Sequence, residues 1–132
     1  MKKNKINIGL MGFGNIGTGT YKTLEMNRDI IVANTGINFE IIKILEKDVD
    51  RDRGIFVEKS KFTQDPEDLF RNPDIDVVIE LLGGVQPSSD LMLRAMNSGK
   101  HVVTANKAAV AANFDLLRAA SLKNRVLFRY EA

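Results

Sequence analysis

Six residues near the start of the chain, Gly12-Phe13-Gly14-Asn15-Ile16-Gly17, have the types and spacing to hold a phosphate with backbone alone. In such a turn the first glycine permits a tight bend and the second lets the main chain approach a pyrophosphate. The third lets a helix pack closely on a strand. The helix that follows offers unpaired N–H groups and a partial positive charge. Three further clusters carry useful groups. Glu46-Lys47-Asp48, with Arg51 and Arg53 behind, offers both signs of charge. Glu46 suits ribose hydroxyls, whereas Lys47 or Arg53 suits a 2′-phosphate. Gly83-Gly84 lets the backbone pass beside a ligand, or makes a simple turn. Thr104-Ala105-Asn106-Lys107 combines a hydroxyl, an amide and an ammonium. A lysine in such a place can orient a hydroxyl or carbonyl and pass its proton when desolvated.

These clusters need elements to position them, and the hydrophobic pattern supplies a consistent set. Ile6-Asn7-Ile8-Gly9-Leu10-Met11 reads as a strand, and a helix follows over roughly 15–26 with Ile16, Thr20 and Leu24 on one face. The stretch 27–38 is ambiguous: Ile30 to Ala33 prolongs that helix in one reading, with Gly36 suited to its end. Residues 39–45 read as a second strand, and the charged run 46–53 as a solvated loop. Asp65-Pro66-Glu67-Asp68 has the cap, the proline and the acids of a helix start, with Leu69 and Phe70 inward. Residues 75–82 are apolar enough for a strand buried on both faces of a parallel sheet.

Pro87 and Ser88-Ser89 then open a helix with Leu91, Met92, Ala95 and Met96 inward, closed by Gly99. Residues 101–104 form another strand. A helix spans 107 to about 123, interrupted near Asn113, and 126–130 is the last strand. The alternation predicts an α/β fold: a Rossmann-like, doubly wound parallel sheet in three αβα layers, one dinucleotide-binding domain over 1–132. In such a sheet the ligand crevice lies at the carboxyl ends of the strands, where all four clusters fall. His101 falls at the opposite end and reads as a packing or surface residue. Glu80, inside an apolar strand, reads as a structural carboxylate that needs partners.

Composition narrows the classes. A net charge of +2, with charges interspersed, gives no footprint for nucleic acid. No apolar run approaches the ~20 residues of a membrane span, and the basic start Met1-Lys2-Lys3-Asn4-Lys5 lacks a signal-like apolar segment. Zero cysteines exclude disulfides, thiolate catalysis and cysteine metal sites, and a reducing cytoplasmic location is expected. The acid after the second strand comes later than the customary ~20 residues beyond the motif, so the first crossover is long. With both charge signs present there, NAD and NADP stay open, leaning to NADP or dual use.

The assembled chain resembles the N-terminal half of homoserine dehydrogenase. The likeness rests on G-F-G-N-I-G-T-G at 12–19, D-I-D-V-V-I-E-L-L-G-G at 74–84, G-K-H-V-V-T-A-N-K-A at 99–108 and Y-E-A at 130–132. It implies reversible NAD(P)-dependent interconversion of L-homoserine and L-aspartate 4-semialdehyde. It also implies cofactor contacts at Phe13, Asn15, Ile16, Gly17, Thr104 and Asn106. Lys107 matches a lysine at the cofactor–substrate junction, implicated in binding or proton transfer. Lys47 matches a basic position near the adenosine ribose, while Glu46 stands where relatives carry an apolar residue. Glu131 matches a residue whose backbone helps bind a monovalent cation.

In that family a second domain supplies most substrate contacts, another catalytic lysine and the dimer interface, and the full-length enzyme is expected to be a homodimer. This chain stops after Ala132, where that half should begin, so it is expected to bind cofactor without turning over substrate. A stand-alone nucleotide-binding regulator without redox chemistry is the alternative.

Overall fold

The computed structural model describes residues 4–130. Strand β1 (Lys5–Met11) leads through the glycine turn into helix α1 (Asn15–Met26), then α2 (Arg28–Thr35) and β2 (Asn38–Leu45). A long loop with a 3₁₀ turn at Lys59–Lys61 reaches a two-residue strand, β3 (Phe62–Thr63). The chain continues through α3 (Glu67–Phe70), β4 (Val77–Glu80), α4 (Ser88–Asn97), β5 (His101–Thr104), α5 (Lys107–Asn124) and β6 (Phe128–Tyr130). All pairings are parallel, in the order β3-β2-β1-β4-β5-β6. Strand order reverses between β1 and β4, which opens a crevice at their carboxyl ends.

Two cores cover the two faces. Leu69 and Phe70 of α3, Met92 and Met96 of α4, and Leu117 of α5 pack with Met11, Val78 and Val102 on one side. On the other, Tyr21 and Leu24 of α1 and Ile31 of α2 cover Ile8, Leu10, Ile41 and Ile44. The double winding follows from right-handed crossovers running first one way and then the other from the central strand.

Local differences from the expected elements have identifiable causes. Residues 28–35 form a separate helix because Asn27 leaves helical geometry, and Gly36 closes that helix in the left-handed conformation at φ 71°. The inward face of α1 is Gly17, Thr18, Tyr21 and Leu24, not the face of Ile16, which is 70% exposed at the crevice mouth. Helix α5 bends where expected: Asn113 is non-helical, and its side-chain amide donates to Ser89 Oγ at 2.9 Å.

Strand β3 has too few residues to show a period, and no helix precedes it. The β4–β5 half is less fully covered on its second face, where Ile79 is only half-buried against the α1 side. Val78 and Val102 are fully buried, but Val103 is 38% exposed on that second face, beyond the reach of α1 and α2. His101 lies at the start of β5, away from the crevice, where Nδ1 accepts the Leu127 N–H at 2.9 Å.

Candidate cofactor site

The glycine turn is built as its spacing requires. Gly12 has φ 106°, and a Cβ there would stand 3.0 Å from the Leu81 carbonyl oxygen. A Cβ at Gly17 would meet the Gly12 carbonyl oxygen at 2.4 Å, so α1 can approach β1 only with glycine at that position. Gly14 is different. Its φ of −76° is ordinary, and nothing lies within 4 Å of the Cβ it lacks. No side chain caps α1, and its first turn holds no acid. The turn therefore presents open space in front of uncapped helix amides, which suits a pyrophosphate.

The rest of the motif is partly committed to the protein itself. The Phe13 ring is buried edge-on against Tyr21 and Phe62, with centroids 5.7 and 5.5 Å away. The ring is therefore part of the core, and Asn15 and Ile16 are the exposed members. The Phe13 N–H donates to Glu46 Oε2 at 3.2 Å.

The charged run after β2 is a largely exposed loop, as expected, with Arg53 and Glu46 as its exceptions. Arg53 folds inward with 5% of its side chain exposed, and its Nη2 lies 3.3 Å from Glu46 Oε2, itself 18% exposed. Arg53 Nε donates to the Phe13 carbonyl at 2.8 Å and Nη1 to the Arg51 carbonyl at 3.0 Å. Its guanidinium also lies over the Phe13 and Phe62 rings. Arg53 thus locks the loop to the glycine turn, and the charge expected to attract a phosphate is paired with Glu46. A run carrying both signs can pair internally when backbone carbonyls complete the cradle. Lys47 and Arg51 are the cations of this run left exposed at the crevice.

Glu46, Lys47, Gln64, Leu82 and Gly83 line a groove of about 500 Å³ between the ends of β2 and β4. Gln64 was not singled out in the sequence. It reaches the site because β3 places it beside Lys47, whose carbonyl accepts from Gln64 Nε2 at 2.8 Å. The turn string Thr63-Gln64-Asp65-Pro66 after an aromatic residue was the available signal.

The ends of β4 and β5 are joined by Glu80, a buried carboxylate with partners as expected. Glu80 Oε1 accepts from Thr104 Oγ1 at 2.5 Å, and Oε2 accepts the N–H groups of Leu82 and Gly83 at 2.9 and 3.1 Å. Asn106 Nδ2 is 3.4 Å from Oε2 and donates to the Gly84 carbonyl at 2.6 Å. Asn106 Oδ1 caps α5 by accepting the Ala109 N–H at 3.1 Å. Gly83 and Gly84, at φ 77° and 73°, make the turn that brings these groups together. The Thr104 hydroxyl donates to Glu80 and accepts from Asn106 N–H at 2.9 Å, so it positions the loop rather than pointing free into the crevice. Lys107 is the first residue of α5 and is exposed. Glu131 lies outside the described residues.

A model of the homoserine dehydrogenase NAD-binding domain matches residues 12–131. The chain belongs to this family. Homoserine dehydrogenase of Bacillus subtilis is 35% identical over 127 residues, covering 96% of this chain and 29% of the relative. That of Pseudomonas aeruginosa is 36% identical over 129 residues, with the same shares. The crystal structure of S. aureus homoserine dehydrogenase at pH 7.0 superimposes with a TM-score of 0.89 at 31% identity, covering 99% of this chain and 33% of that one. The chain therefore spans less than a third of the length of these relatives. Among the described residues no helix is long and apolar enough to cross a membrane, and no cluster of acids and histidines could hold a metal ion.

Proposed function

We propose that the crevice binds NADP or NAD and that the chain forms the cofactor half of a homoserine dehydrogenase, interconverting L-homoserine and L-aspartate 4-semialdehyde. The observation that carries this reading is the empty space at Gly14 before uncapped α1 amides, inside a family-matched turn. The pyrophosphate would lie on the amides of Asn15, Ile16 and Gly17. The adenosine ribose would lie over Glu46 and Lys47, where exposed Lys47 and Arg51 favour a 2′-phosphate and support NADP. Thr104 and Asn106, fixed by Glu80, would shape the nicotinamide side.

The cofactor supplies hydride transfer. Lys107, at the start of α5 on the same side, would hold and move the proton of the substrate hydroxyl. It would do so only when a further domain closes over it and excludes water, because here it is solvated. A lysine at a helix N-terminus is electrostatically disfavoured, which supports a functional reason for its position. The backbone of Glu131 would contribute to a monovalent-cation site, and the full-length protein would be a homodimer. Its location would be the cytoplasm, in keeping with a chain that has no cysteine.

The test is to titrate this chain with NADPH and NADH and then to assay homoserine oxidation with the chain alone. Saturable binding without turnover is expected. Substantial turnover would show that this span alone suffices for the chemistry.

A further inference from the structure

Glu80 is buried beside the β4–β5 end of the crevice, and holding two loops together does not by itself require a charge there. We propose that Glu80 sets the redox preference of the site by favouring the oxidised, positively charged nicotinamide over the reduced, neutral one. This rests on the cofactor assignment proposed above.

Glu80 is 1% exposed, and its four contacts are all donors: the Thr104 hydroxyl, the N–H groups of Leu82 and Gly83, and the Asn106 amide. A donor-only environment suits a carboxylate, whose two oxygens act as acceptors. No lysine, arginine or histidine of the described residues pairs with it. The carboxylate is therefore solvated by neutral dipoles, and its charge remains uncancelled.

It lines a small cavity of about 130 Å³ with Ile16, Leu81, Gly83, Ala105 and Asn106. In a doubly wound fold the acid after β2 marks the adenosine side, so this cavity lies on the nicotinamide side. Adding a hydride, two electrons and a proton, to the ring removes its positive charge. A fixed negative charge nearby therefore binds the oxidised form more tightly, and the bound reduced cofactor becomes the stronger hydride donor. Lys107 carries the opposite charge near the same strand end, but it is exposed and screened by water, whereas Glu80 is shielded from it.

The experiment titrates this chain with NADP+, NADPH and 2′-phospho-ADP-ribose, which lacks the nicotinamide. NADP+ is expected to bind more tightly than NADPH; equal or reversed affinities overturn the proposal. Glu80→Gln is expected to shrink the NADPH-to-NADP+ Kd ratio about fivefold, the size one charge exerts over several ångströms at intermediate dielectric. Glu80→Asp, which keeps the charge, should hold the wild-type ratio.

A purely structural role would weaken all three ligands alike in Glu80→Gln, and that result overturns the proposal while leaving the cofactor reading intact. Binding of none of the three by the wild-type chain overturns both. If Glu80→Gln does not fold, the wild-type affinities and Glu80→Asp still decide: loss of the oxidised preference in a folded Glu80→Asp overturns the proposal.

Discussion

Two carboxylates stand at the crevice, each near the carboxyl end of a strand, and they are partnered in opposite ways. Glu46, just after β2, meets a guanidinium, and the pair ties the charged loop to the glycine turn through Phe13. Glu80, the last residue of β4, meets only neutral donors from β5, α5 and its own turn. The first arrangement spends a charge on holding a loop in place. The second leaves a carboxylate without a cationic partner inside the protein, at the carboxyl end of β4. In the proposed cofactor pose, charge near the adenosine would be carried by exposed Lys47 and Arg51, and charge near the nicotinamide by Glu80.

The strongest way to break this comparison is to remove each acid's machinery. Glu80→Ala strands several buried donors and is expected to cost about 3 kcal/mol or more of stability in urea denaturation. Arg53→Met leaves Glu46 with its backbone donors and deletes the guanidinium bonds to the Phe13 and Arg51 carbonyls, for an expected loss of about 2 kcal/mol. Arg53→Lys should recover only part of this loss, because an ammonium cannot reproduce both bonds. An Arg53→Met cost larger than that of Glu80→Ala would invert the ranking of the two sites.

Lys47→Gln sharpens the comparison at the surface. Stability should change by no more than about 0.5 kcal/mol. NADPH affinity should fall several-fold while NADH affinity holds, as measured by titration. Equal losses for both cofactors would remove Lys47 from 2′-phosphate recognition.

The smallest effect is expected at Glu40, whose carboxyl is held below its ordinary value by the hydrogen bond from Lys5 Nζ at 2.6 Å. A folded value below the unfolded one gives stability that is present above the carboxylate range and lost as pH falls through it. The pair is largely exposed, so its worth is about 0.5 kcal/mol or less. Denaturation of Lys5→Ala should differ from wild type by that amount at pH 7 and by progressively less as pH falls through the carboxylate range.

The parts of the fold legible in the sequence were those with a period or a special residue. The glycine motif, the apolar strand at 75–82, the helix ended by Gly99 and the bend at Asn113 each carry a local signal, and each appears close to its expected place. Glu80 was legible as a carboxylate needing partners because a charge in an apolar strand has few alternatives. Strand β3 was not legible, because two residues show no period and the loop before it has no helix to announce a crossover. Arg53 was misread because a charged run looks solvated until the carbonyl and the aromatic rings that receive it are known. Four-residue spacing puts Ile16, Thr20 and Leu24 on one stripe of α1 without telling which stripe faces the sheet; Gly17, which must touch β1, does.

Gly14 tests the central claim most directly, since the claim is that open space before the α1 amides holds a pyrophosphate. Gly14→Val adds a side chain where nothing lies within 4 Å, at an ordinary φ, so the variant should fold with wild-type Tm. NADPH titration of this variant should show binding at least tenfold weaker than wild type. Wild-type NADPH affinity in a folded Gly14→Val would contradict the account.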